Sequence, residues 1–186
     1  MLKRLLAACF LFWASGASAA ELGGVRMADT IQIGGQNLVL NGMGMRTYSV
    51  LHVHIYVAGL YLERPNTNAN AILNSNETKL VQFVFSRDIK AEDARKSWQD
   101  GLNANCTSPC KLPPDEVAQF LASVPAVRQG DTGVLLFTRQ GLDVTMNNRP
   151  LGHISDQNFA RVILATFIGP QTQVPELRAG LLKAGG

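Results

Sequence analysis

The clearest pattern in this chain is a strict alternation of apolar and polar residues that starts at Leu51. The odd positions are apolar and the even positions carry polar rings: Leu51, Val53, Ile55 and Val57 against His52, His54 and Tyr56. A period of two is that of a β-strand with one apolar face. The alternation resumes with the other parity after Gly59, and a glycine there indicates a β-bulge or the close approach of another backbone. We therefore predict one long strand that ends before Pro65.

Shorter segments predict the other strands. Apolar residues at 31 and 33 and at 38 and 40 flank Gly34-Gly35-Gln36-Asn37, which is typical of a β-hairpin. Residues 80–86 alternate in the same way. Between 133 and 154, three short apolar segments separated by turn residues predict an antiparallel meander. We expect residues 20–26 to be a loose lead into the sheet.

Helical periodicity marks the remaining segments. Within 91–105, four residues recur at intervals of four, four and three and share one helix face: Ala94, Trp98, Leu102 and Asn105. Further helices are predicted from Pro113-Pro114, from a cap at Ser155 and from Pro175. The order of strands, helices, meander and helices predicts an α+β fold, in which one antiparallel β-sheet carries a layer of α-helices on one face.

The first 19 residues differ from the rest of the chain. Lys3 and Arg4 precede an apolar segment at 5–13, and Ala17-Ser18-Ala19 offers small residues for cleavage. We predict a secretory signal peptide at 1–19, a single domain at 20–186 and a periplasmic location. No later segment is long and apolar enough to predict a membrane span.

The charge of the chain depends on that leader. The formal charge of +3 falls to +1 once Lys3 and Arg4 are removed, because 15 basic and 14 acidic residues remain. No basic cluster stands elsewhere, so we expect no nucleic-acid partner.

Two cysteines remain beyond the leader, Cys106 and Cys110. In an oxidising compartment a pair this close predicts a local disulfide. The alternative is a redox or metal-binding dithiol, although redox motifs favour a spacer of two residues. We expect the disulfide to fix the helix end that carries Asn105.

Arg46 is the leading candidate for ligand binding. It follows Gly42 and Gly44, which we expect to form a flexible turn, and its planar guanidinium suits a carboxylate or an enolate oxygen. The alternative is a surface arginine beside a turn. Tyr56 and Tyr61 are candidate partners for a bound carboxylate, or else strand residues that pack their rings.

His52 and His54 form a His-x-His pair on the long strand. Such pairs bind copper or zinc when further ligands are present, but His153 is distant in sequence and no carboxylate is adjacent. We predict no metal site and no cofactor. The remaining alternatives are a half-exposed polar face and rings that line a pocket.

Several motifs resemble those of the chalcone isomerase superfamily. The segment Gly42-Met43-Gly44-Met45-Arg46 is similar to the Gly-x-Gly-x-Arg of that family, and Gly59-Leu60-Tyr61-Leu62 is similar to its strand-ending motif. Similar stretches follow at 85–89, 102–106 and 159–169. The resemblance implies an open-faced sandwich with a ligand cleft between sheet and helices. The superfamily includes plant isomerases that cyclise chalcones and members that bind fatty acids.

The resemblance also implies roles for individual residues. The catalytic arginine of the family falls on Arg46 and its asparagine on Asn105. The threonine of the plant enzymes falls on Tyr56, their helical tyrosine on Trp98, and their late-helix hydroxyl residue near Ala160. These three departures remove or displace the hydroxyls that hold the water and the ketone oxygen, which argues against chalcone cyclisation.

The leading hypothesis is a protein that binds a small hydrophobic acid, such as a fatty acid, and catalyses no reaction. Five residues are expected around the ligand: Arg46, Tyr56, Tyr61, Trp98 and Asn105. The first alternative is an isomerase or intramolecular lyase that acts on a phenolic enone through Arg46 and Asn105. The second is an interaction module of the cell envelope without a ligand.

Overall fold

The computed structural model of this chain describes residues 19–48, 51 and 53–184. The described part contains nine strands: β1 (Ala19–Leu22), β2 (Val25–Ala28), β3 (Thr30–Ile33), β4 (Gln36–Tyr48), β5 (Val53–Leu62), β6 (Lys79–Phe85), β7 (Thr132–Thr138), β8 (Gly141–Met146) and β9 (Arg149–Ile154). It also contains five helices: α1 (Ala69–Asn74), α2 (Ala91–Asn105), α3 (Pro114–Ser123), α4 (Gln157–Ile168) and α5 (Pro175–Leu181). The predicted leader, except for Ala19, lies outside the described residues.

Seven strands form one antiparallel sheet in the order β3-β4-β5-β6-β7-β8-β9. Each strand therefore pairs with its neighbours in sequence. Four connections are short loops, whereas α1 lies between β5 and β6, and α2 and α3 lie between β6 and β7. The sheet curls, and the helices lie on one of its faces. The predicted α+β class is confirmed.

The two faces of β5 belong to two separate cores. Its even residues, Ala58, Leu60 and Leu62, join the main core beneath the helices. Its odd residues Val57 and Tyr61 join a second core on the opposite face, together with Met27 of β2. Burial on both faces explains why the alternation of apolar and polar residues fades after Val57.

The second core is covered by a hairpin of β1 and β2. The expectation of a loose lead at residues 20–26 was therefore wrong. Gly23 and Gly24 adopt positive φ angles of 56° and 78° at its turn, a conformation that favours glycine. The turn signal was present, but the strands it joins are only four residues long.

Gly59 is not at a β-bulge, because it pairs with Met43 in regular register. The position that a Cβ of Gly59 would take is 2.5 Å from Sδ of Met27. The glycine therefore leaves space for the side chain of Met27 from β2, and not for the backbone of another segment. Between β4 and β5 the register skips Asn41 and Ile55, and between β8 and β9 it skips Leu151.

The bulge at Ile55 changes the predicted face of His54. Thr47 pairs with His54 and Arg46 with Tyr56, and adjacent residues of a strand point to opposite faces. His54 and Tyr56 therefore lie on opposite faces, and the expected row of polar rings is broken.

Gly42 and Gly44 do not form a turn, because both lie within β4. A Cβ on Gly42 would lie 2.3 Å from the carbonyl oxygen of Gly180, and one on Gly44 would lie 2.4 Å from that of Leu177. Helix α5 thus rests directly on the backbone of β4. These glycines are required for close packing and not for unusual backbone angles.

Asn41 secures the same contact. This residue is fully buried, its Nδ2 donates to the carbonyl oxygens of Leu181 (2.8 Å) and Asn66 (3.0 Å), and its Oδ1 accepts from the backbone N–H of Asn66. One buried amide therefore ties the end of α5 and the loop after β5 to β4, with its polar atoms satisfied.

The helices follow the sequence prediction closely. Helix α2 spans the predicted 91–105, and α3 and α5 begin at the predicted prolines. The cap of α4 is Asp156 instead of Ser155: its carboxylate accepts from the backbone N–H of Phe159 at 2.7 Å, while the Ser155 hydroxyl donates to Glu116. Both residues are good caps, and the position of the first turn decides between them.

Cys106 and Cys110 form the predicted disulfide, with their Cα atoms 5.1 Å apart. Cys106 is the C-cap of α2, and Sγ of Cys110 lies 3.8 Å from Nδ2 of Asn158 in α4. The bond therefore joins the end of α2 to the loop beside α4.

Replacing Gly44 by alanine tests the contact between α5 and β4. We expect Gly44→Ala to lower the free energy of unfolding by about 1–3 kcal/mol, because the added methyl group meets backbone atoms of α5. Gly152→Ala in β9 is the control, since nothing lies within 4 Å of its new Cβ. Chemical denaturation that gives equal stability for both variants contradicts this packing.

Removing the disulfide tests its contribution to stability. By loop length, Cys106→Ser/Cys110→Ser is expected to lower the free energy of unfolding by about 2 kcal/mol. Reduction of the wild type should produce the same loss, and reductant should leave the double variant unchanged. If reduction does not change the denaturation midpoint of the wild type, the disulfide does not stabilise the fold.

Candidate functional site

Arg46 lies on the face of β4 that is covered by helices. It follows Gly42 and Gly44 at intervals of two, and both glycines contact α5 on that face. Its Nη2 donates to the hydroxyl of Ser97 in α2 at 3.1 Å. Its guanidinium carbon lies 6.0 Å from the ring centroid of Tyr56, the residue opposite it on β5. The motif thus places a cation between sheet and helix layer.

The partners of Arg46 are hydroxyl groups. Within residues 19–48, 51 and 53–184, no carboxylate lies within salt-bridge distance of its guanidinium. Burial raises the pKa of Tyr56, and the charge of Arg46 and its hydrogen bond to the phenol oxygen oppose that shift. Tyr56 is therefore a neutral phenol at physiological pH, next to a half-buried positive charge that no carboxylate of the described residues contacts.

The interior beside Arg46 is aromatic. Seven rings form a continuous aromatic cluster between the sheet and the helices, with neighbouring centroids 5.2–6.4 Å apart: Tyr56, Phe83, Phe85, Trp98, Phe120, Phe159 and Phe167. Most pairs meet edge to face, which is a favourable geometry for aromatic rings. A cation with hydroxyl partners therefore borders a large apolar interior.

Trp98 lies within this cluster, with its ring 5.2 Å from that of Phe120 and 5.8 Å from that of Phe167. It follows Ser97 in α2, so the helix presents a hydroxyl to Arg46 and an indole to the aromatic interior. The helical period predicts Trp98 on the inward face of α2, and the structure agrees.

Asn105 lies further along α2. It is eight residues beyond Ser97, or about 12 Å along the helix axis. Its Nδ2 donates to the carbonyl oxygen of Gly101 at 2.9 Å and lies 3.5 Å from that of Gln171. The side chain therefore closes the end of α2 and makes no contact with Arg46.

Tyr61 is on the other side of the sheet. It is fully buried in the second core, where its hydroxyl donates to the carbonyl oxygen of Ala28 at 2.9 Å. Burial and the nearby Asp29 raise the pKa of Tyr61 to about 12. The structure does not bring Tyr61 together with Arg46, because the two residues face opposite sides of the sheet.

The histidine pair cannot be placed as a pair, since His52 lies outside the described residues. His54 is exposed in β5, and Nδ1 of His153 is bound to Asp143 at 2.7 Å. Over the described ranges, no three histidine, cysteine or acidic side chains are grouped so as to hold a metal ion.

A cleft lies in another part of the fold, away from Arg46. It has a volume of about 270 Å³ and lies between α1, the start of β6, the β7–β8 turn and the first half of α4. Lys79 and Ala160 line it. Lys79 is six residues from Phe85, the partner of Tyr56 on β6, so the cleft lies about 20 Å along the strand from the Arg46 end.

This position corrects the expected role of Ala160. The resemblance placed a late-helix hydroxyl position near Ala160, but that residue lines the distant cleft. The second half of α4 faces the aromatic cluster, where Phe167 contacts Trp98 and Phe83. In that half the hydroxyl belongs to Thr166, and it donates to the carbonyl oxygen of Ile163.

Ser97 is the contact of Arg46 that sequence analysis missed. It lies beside the inward-facing Trp98, but a serine within a helix carries no signal of its own. Only the way α2 lies across β4 brings its hydroxyl to the arginine.

No helix in the described part of the chain is long and apolar enough to cross a membrane.

Comparison with known proteins agrees with the geometry of the fold. An Arabidopsis thaliana fatty-acid binding protein, AtFAP1, superposes with a TM-score of 0.74 over 89% of this chain and 96% of its own, at 14% sequence identity. A search of curated proteins finds no match. The family model described as chalcone isomerase-like matches residues 19–183. The chain belongs to the chalcone isomerase-like family.

Proposed function

We propose that this protein binds a fatty-acid-like carboxylic acid without chemical turnover, and that Arg46 and Tyr56 hold the carboxylate. The observation that carries the proposal is the state of Arg46: it donates to the hydroxyl of Ser97 and lies beside Tyr56, and no described carboxylate neutralises it. A ligand that brings its own carboxylate supplies that missing charge.

The chemistry of the two groups suits a carboxylate head. The guanidinium offers a planar fork that matches the two oxygens of a carboxylate. Because burial keeps the phenol of Tyr56 neutral, its O–H can donate a further hydrogen bond. A half-buried position strengthens both interactions relative to those at a surface.

The aromatic cluster suits the tail of such a ligand. It begins at Tyr56, directly beside Arg46, and continues through Phe83 to Phe167 under the helices. An acyl chain entering there must displace some of these rings, and Phe85 and Trp98 are only partly buried. AtFAP1, a fatty-acid binding protein with the same fold, supports this assignment.

The residues present favour binding over isomerisation. The resemblance implies that isomerases of this family hold a water molecule and the ketone oxygen with three hydroxyl-bearing residues, and of the corresponding positions only Tyr56 carries a hydroxyl here. In this chain an indole occupies the position implied for the helical tyrosine, and Asn105 is bonded to backbone carbonyls at the far end of α2. The predicted leader suggests that binding takes place in the periplasm.

Substitution of Arg46 tests the proposal directly. Lipid-extracted protein is exposed to a long-chain fatty acid, and uptake is measured by native mass spectrometry and calorimetry. We expect Arg46→Met to weaken binding at least about tenfold, because a charged hydrogen-bond partner is lost. We expect Tyr56→Phe to weaken it about three- to tenfold through loss of one donor.

Tyr61→Phe is the matched control. It removes the same hydroxyl from the same strand on the opposite face, so it should lower stability by about 1 kcal/mol and leave affinity unchanged. Equal affinity of wild type and Arg46→Met for the fatty acid contradicts the proposal that Arg46 holds the carboxylate. Conversion of a chalcone to a flavanone by the wild type favours the isomerase, and no uptake of either ligand class favours the envelope interaction module.

A further inference from the structure

The cleft near Lys79 is a second candidate site, separate from the Arg46 end of the fold. Its floor is apolar and its rim is polar. Leu73, Phe137, Ala160 and Leu164 form the floor. The end of α1, the β7–β8 turn and the first turn of α4 form the rim. A volume of about 270 Å³ is close to the lower end of the range for small-ligand sites, about 300 Å³, which suits a compact ligand.

Lys79 gives this cleft its chemical character. Its side chain points to the helix-covered face of β6, and the residue is only 5% exposed. Nζ donates to the carbonyl oxygens of Ser75 at 2.7 Å and Glu77 at 3.0 Å. These two bonds hold the loop that follows α1. An ammonium group has three donors, so one donor of Nζ remains for a ligand.

Burial lowers the pKa of Lys79, and the nearby carboxylates of Glu77 and Glu63 oppose that shift without contacting Nζ. In the described part of the chain, no carboxylate lies within 4.0 Å of Nζ. The carboxylate of Glu77 is bonded to Arg64, and that of Glu63 accepts the backbone N–H of Thr78. A buried cation without a contacting anion is costly, and an external anion in the cleft offsets that cost.

Arg161 supplies a second cation from the α4 side of the cleft. Its Nη2 donates to Oδ1 of Asn158 at 2.5 Å, and the guanidinium carries further donors. The nearby amides are already engaged: Asn158 donates to the carbonyl oxygen of Lys111 and Gln157 to that of Arg139. Besides the two cations, the exposed amide of Asn76 is a further donor at the rim.

We propose that this cleft binds a small oxyanion, a carboxylate or phosphate group, between the ammonium of Lys79 and the guanidinium of Arg161. The apolar floor adds affinity for a ligand with a compact hydrophobic part. The site is independent of fatty-acid binding at Arg46, because the two lie at opposite ends of β6.

The test is an NMR titration of the full ¹⁵N-labelled chain. Sodium phosphate and sodium benzoate are added separately at constant ionic strength, with sodium chloride as the reference salt. We expect saturable shifts confined to residues 73–79, 137–141 and 157–164. Tighter binding of benzoate than of phosphate indicates use of the apolar floor, and the reverse order indicates recognition of the oxyanion alone.

Three variants test whether Lys79 and Arg161 hold the anion. Arg161→Gln should weaken binding about tenfold or more, and Lys79→Gln should weaken it at least as much. Arg149→Gln in β9 is the control, with the same loss of charge at an exposed position away from the cleft. Should Lys79→Gln fail to fold, the comparison of Arg161→Gln with Arg149→Gln decides.

Absence of saturable shifts in the millimolar range overturns the proposal. So do shifts spread over the surface, or an equal loss of binding in Arg161→Gln and Arg149→Gln. None of these three results bears on fatty-acid binding, which Arg46→Met reports separately. Retention of the cleft shifts in Arg46→Met is expected, and their loss in that variant contradicts the independence of the two sites.

Discussion

The fold depends on the close contact between α5 and β4. Two glycines of β4 leave space for the carbonyl groups of Gly180 and Leu177, and the buried side chain of Asn41 bonds to the carbonyl oxygen of Leu181. Because α5 rests on the strand backbone, the strand is fixed relative to the helix layer. Arg46, two residues beyond Gly44 on the same face, is thereby held against α2.

The Gly-x-Gly-x-Arg motif therefore combines packing with chemistry. Its glycines bring a helix to the strand, and its arginine occupies the place where that helix layer leaves room for a side chain. The resulting interior has two different ends. A cation with hydroxyl partners and aromatic neighbours lies at one end, and a buried lysine with an apolar floor lies at the other.

Much of this fold could be predicted from sequence, because local patterns carry it. The period of four along α2, the prolines before α3 and α5 and the turn residues of the meander each mark an element directly. The glycines of β4 and the bulge at Ile55 could not be interpreted in that way. Their effect depends on which element packs against the strand, and that information is not local.

The same reason limits prediction of the site. Arg46 stands out in the sequence through its motif, whereas its partner Ser97 comes from a helix some fifty residues away. Tyr56 and Tyr61 are five residues apart in one strand and end on opposite faces, so the residue type alone could not separate a ligand contact from a core residue. Lys79 carries no motif, and only its burial beside a cleft draws attention to it.

The most direct test of the central claim is a crystal structure with a fatty acid that carries bromine at its last carbon. Anomalous scattering then locates the tail independently of the head. We expect the carboxylate within hydrogen-bonding distance of Arg46 and Tyr56 and the bromine among the displaced rings of the aromatic cluster. A carboxylate bound at Lys79 or on the outer surface, with Arg46 still bonded only to hydroxyls, contradicts the account.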